Sequence, residues 1–141
     1  MSLDDWILAF HLLSAFALVA AMTVFWVVFV ALRESGGADA TVAGLMRVGA
    51  IAVGIGSLGT LVFGIWLAIS LDAYQVWDGW VIAAIVLWAI AVATGKRSGD
   101  ILGADPGAAS EETKRRALLL HGIASVLVVL VLVDMIWKPG A

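Results

Sequence analysis

Residues 49–66 read GAIAVGIGSLGTLVFGIW, a run without a single charge and with glycine at 49, 54, 56, 59 and 64. With its flanks the run extends over about 45–71, beyond the ~20 residues that carry a helix across ~30 Å of hydrocarbon. At the helical period, Gly49, Ala52, Gly56, Gly59, Thr60 and Gly64 share one broad face. In lipid, helices associate by close backbone approach, so a small-residue face marks a helix contact. The stretch therefore predicts a membrane helix packed inside a bundle. The same face could also serve a dimer, a partner helix or a flat ligand.

Three more apolar segments flank it, at about 6–32, 79–94 and 117–137, the third span being the shortest. The whole chain, 1–141, reads as one domain by length. Short connections favour antiparallel neighbours, so the expected fold is all-α: four transmembrane helices in an up-down-up-down bundle. The longest connection, 95–116, is GKRSGDILGADPGAASEETKRR and predicts a solvated loop. At its end Ser110 suits a helix N-cap, and Glu111 and Glu112 suit the positive end of a helix dipole.

Composition agrees. The chain is 63% apolar and 13% charged, with a mean hydropathy of +1.08, whereas soluble domains carry about 25% charged residues. The lipid bilayer is thus its first partner, and no basic tract points to nucleic acid. The absence of cysteine excludes disulfides, thiol catalysis and thiolate metal sites. No basic residue precedes the first apolar run, which argues for a retained span rather than a cleaved signal.

Arg33, Arg47, Lys96, Arg97, Lys114, Arg115 and Arg116, seven of the eight Lys and Arg residues, fall at the ends of the first and third connections. The positive-inside rule makes that side cytoplasmic and leaves both termini outside. Trp6, Tyr74, Trp77, Trp80 and Trp137 form the expected outer aromatic belt. The predicted location is the cytoplasmic membrane of a bacterium, as a multi-pass protein.

Ionisable residues inside spans are functional candidates by default. Three stand well inside: His11, His121 and Asp134. Counting ~1.5 Å per residue from the belt, His11 lies ~7–8 Å deep and Asp134 ~4–5 Å. In an antiparallel ring the first and last helices are neighbours, so Asp134 is expected to accept a hydrogen bond from His11; the other reading is that Asp134 reaches water or Lys138. His121 lies ~24 Å from the belt, too far from His11 to share one metal ion or iron. Met22 shares its depth, with Ser125 one turn away. A His–Met pair is one way to hold haem iron; a helix-bonded structural histidine is the other reading of His121. Asp4, Asp5, Asp72 and Asp78 form an acidic outer rim, and no residues have metal-ligand spacing.

WILAFHLLSAFALVAAM (6–22), GTLVFGIWLA (59–68) and WDGWVIAAIVLWAI (77–90) together resemble a loose group of small bacterial four-helix membrane proteins. The group includes HemJ-type protoporphyrinogen oxidases, the CopD membrane domain and an uncharacterised predicted integral membrane family, the last being the most similar. The resemblance implies the four-helix fold. It also implies haem b or a porphyrin ligated by His11, the only match to the histidine of the haem-binding members. Asp134, His121 and Met22 are then cofactor-site candidates. No span here holds the membrane lysine that HemJ-type oxidases need, so their reaction is not implied.

Three functions follow as expectations. One is a redox protein holding haem through His11. Another is a non-enzymatic structural or accessory subunit associating, with itself or a partner helix, through Gly49, Gly56, Gly59 and Gly64. The third is a transporter using a His11–Asp134 pair, which would need further polar groups at mid-depth, where Ser14, Ser57 and Thr60 stand. Whether the chain is an enzyme is left open.

Overall fold

The computed structural model of the chain describes residues 2–35, 40–70, 75, 77–103 and 110–138, with the backbone alone for 33–35, 40, 102 and 103. Asp72 and Tyr74, and the side chain of Arg33, lie outside the described residues. Four helices are present: α1 (Leu3–Ser35), α2 (Ala40–Ser70), α3 (Gly79–Gly103) and α4 (Glu111–Trp137). Each is long and apolar enough to cross a membrane, which makes the chain a multi-pass membrane protein by length and composition. Even α3, at 25 residues, measures ~37 Å against ~30 Å of hydrocarbon. Phe16, Ile51, Ile55, Leu58 and Val126 are exposed on the outside of the helices, as a surface facing acyl chains requires.

The helices associate as two pairs, α1 with α2 and α3 with α4, and the pairs touch only sparsely. Glycine explains the first pair. A Cβ on Gly49 would stand 3.2 Å from the Phe25 ring, and one on Gly56 2.7 Å from the Leu18 nitrogen. A Cβ on Gly59 would overlap Ser14 Oγ, and one on Gly64 would stand 2.9 Å from His11 Cε1. These contacts run in opposite chain order, so α1 lies antiparallel on α2 with the small-residue face between them. That face is filled by α1 of the same chain.

The second pair is also antiparallel. Ser98 Oγ donates to the Ala117 carbonyl at 2.7 Å, and Gly95 faces Ala124, which is fully buried. The ammonium of Lys138 lies 5.6 Å from the centre of the Trp80 ring. Trp80, expected in the outer belt, is buried, whereas Trp6, Trp77 and Trp137 are exposed.

The expected loop 95–116 is largely helix. α3 continues past Thr94 to Gly103, and α4 already begins at Glu111. The Lys96–Asp100 ion pair, at 3.0 Å and one turn apart, supports the extension, as does the buried Ser98 bond. Ser110 does cap α4, its Oγ accepting from the Thr113 amide at 3.2 Å. At the other end Lys138 adopts the left-handed conformation (φ 41°, ψ 60°) and donates its N–H to the Asp134 carbonyl. Pro139 follows, where a helix cannot continue.

Candidate functional site

His11 is 8% exposed. Its ring rests on the bare Cα of Gly64, beside the backbone of Thr60 one turn earlier in α2. Nδ1 is buried and has no hydrogen-bond partner. The expected bond to Asp134 is not formed: Asp134 Oδ2 is likewise buried without a partner. The reason is the glycine face, which draws α1 onto α2 and turns His11 towards α2 rather than α4.

α1 and α4 meet instead around His121. Its Nε2 lies 3.2 Å from the Met22 carbonyl oxygen, and the rings of Phe25, Trp26 and Phe29 stand 5.1–5.8 Å from the imidazole. Trp26 Nε1 donates to Ser125 Oγ at 3.1 Å, and that hydroxyl donates to the His121 carbonyl at 2.9 Å. Met22 thus meets His121 through its carbonyl rather than its sulfur. This cluster is a cross-helix clamp, the structural reading of His121.

These residues do not fit a haem. The Nδ1 of His11 is buried against Gly64 of α2, with no surface for an iron. The cavity next to Thr60 and Gly64 has a volume of only about 50 Å³, whereas sites for cofactors run to ~300–1,000 Å³. His121 is closed in by three aromatic rings.

The space lies elsewhere. Between the two helix pairs a half-open cleft of about 750 Å³ runs along α2 and α3. Small residues form its facing walls, Ala50, Gly54 and Ser57 on α2 and Ala91, Gly95 and Gly99 on α3, with Leu18, Met22 and Met46 among its other lining residues. A Cβ on Gly54 or Gly99 would meet nothing within 4 Å. Trp88 stands at one end, where it also borders the smaller cavity, and Arg47, Lys96 and Asp100 stand at the other. Ser57 Oγ and Trp88 Nε1 are buried without hydrogen-bond partners.

Ser14 and Thr60 return their hydroxyls to Phe10 and Gly56 carbonyls one turn back, each at 2.7 Å. Satisfied within their own helices, they do not line a polar path. The sequence signal for the cleft was a second small-residue face, A-x₃-G-x₂-S at 50–57 opposite A-x₃-G-x₃-G at 91–99. It was masked by the stronger glycine face on α2. Comparison with protein-family models, curated proteins and solved structures finds no match for this chain.

Proposed function

We propose that the chain is a non-enzymatic ligand-binding module of the cytoplasmic membrane. Its four helices run up-down-up-down with both termini outside, and the cleft between its two hairpins takes a chain-like apolar ligand from the bilayer. Supporting this orientation, Arg47, Lys96, Arg97, Arg115 and Arg116 gather at one end of the helices, as the positive-inside rule expects of a cytoplasmic face. The similarity of residues 6–22, 59–68 and 77–90 to the uncharacterised four-helix family belongs to this reading, without the haem of its relatives.

One observation carries the proposal: a cleft of about 750 Å³ with apolar walls and small residues on both long sides. That volume is in the range of small-molecule sites, and its length suits a chain better than a flat ring. Native mass spectrometry of protein extracted in mild detergent tests it. The wild type should retain one apolar ligand, and Gly54→Leu, which projects a side chain into open space, should release it while remaining folded. Equal retention by both proteins, or none by either, contradicts the reading. The visible spectrum should show no Soret band; a band lost in His11→Ala would restore the haem.

A further inference from the structure

Building on the ligand-cleft reading, we propose that the occupant is an anionic phospholipid of the cytoplasmic leaflet. Its phosphate lies at Arg47 and Lys96, and one acyl chain runs along the cleft towards Trp88. Length argues first. From Arg47 to Ser57 is ten residues of α2, or ~15 Å, and that is half of a ~30 Å hydrocarbon core. The cleft therefore reaches from one membrane surface to mid-bilayer, the extent of one chain in one leaflet.

Charge argues next. Arg47 is exposed, lines the cleft and makes no ion pair among the described residues. Lys96 is bound to Asp100 at 3.0 Å, but both side chains are mostly exposed, 74% and 64%, and such a surface pair is weak enough to exchange for a phosphate. Among the described residues, Asp100 is the one acidic residue lining the cleft. Two cations and one anion among these residues line the mouth, and at that end the exposed Arg97, Arg115 and Arg116 outnumber the exposed Glu111 and Glu112. Basic pockets between helices on the cytoplasmic side recognise anionic head groups.

Trp88 supplies the readout. The full chain is reconstituted in phosphatidylcholine vesicles containing brominated-chain phosphatidylglycerol or brominated-chain phosphatidylcholine. The fluorescence lost in wild type but not in Trp88→Phe reports the cleft. Half-maximal quenching by the anionic lipid should need about five-fold less lipid than by the zwitterionic one, as one unpaired cation implies. Arg47→Gln should remove that preference, and Asp100→Asn should raise it by about the same factor; both positions are exposed and leave the packing intact. Gly54→Leu should reduce quenching by either lipid and guards against a folding defect of Trp88→Phe. Equal quenching by both lipids, unchanged in Arg47→Gln, overturns the anionic occupant and leaves the cleft reading standing. Absence of Trp88-specific quenching by either lipid overturns both.

Discussion

A methyl group on Gly56 would sit 2.7 Å from the Leu18 nitrogen and 2.9 Å from the Ser14 carbonyl oxygen. Both belong to the backbone of α1, so the clash is relieved only by moving a helix. Gly56→Ala should therefore cost roughly 1–3 kcal/mol. Gly54→Ala, two residues away with nothing within 4 Å, should be neutral or gain up to ~1 kcal/mol from helix propensity. Unfolding in mixed micelles with increasing dodecyl sulfate measures both, and equal costs would contradict the α1–α2 contact. His121 is the second residue of this kind. Replacing it by alanine removes the bond to the Met22 carbonyl and empties a space among three aromatic rings, so about 2 kcal/mol or more should be lost.

At the level of elements, the telling feature is the extension of α3 beyond the hydrocarbon. Ser98 Oγ is buried and bonded to the Ala117 carbonyl, which ties the end of α3 to the first turns of α4. Backbone amides of residues 98–102 should accordingly resist hydrogen exchange like those of the spans, and Ser98→Ala should weaken that protection with little effect on α1. Rapid exchange throughout 95–103 would instead indicate a loop. The sequence did suggest a loop there, because 95–116 is rich in Gly, Ser and Asp and holds a proline. What decides for helix is tertiary: Gly95 allows Ala124 to approach, and the Lys96–Asp100 pair falls on one helix face. The N-cap at Ser110, by contrast, depends on neighbours in sequence and could be read directly.

For the whole molecule, the existence of four spans was written in hydropathy, and a helix contact through α2 in the glycine spacing, though not that α1 makes it. The arrangement of the pairs was not. A ring in which every helix packs equally on its neighbours would have placed His11 beside Asp134. Instead the glycine face commits α1 to α2 and the Ala117–Ala124 face commits α3 to α4, leaving a gap where the two hairpins adjoin. A gap is a property of two surfaces at once, and neither surface alone announces it. The proposed ligand function rests on that gap being open to the membrane. Photolabelling of the native protein by a phospholipid with a diazirine in its acyl chain, followed by peptide mapping, tests this most directly. Ala50, Val53, Trp88 and Val92, which line the cleft, should be labelled about as strongly as the lipid-exposed Ile51 and Ile55. Labelling of the cleft positions as low as at Val28 and Ala124, which are 2% and 0% exposed, would mean that α2 and α3 close on each other and that no lipid enters.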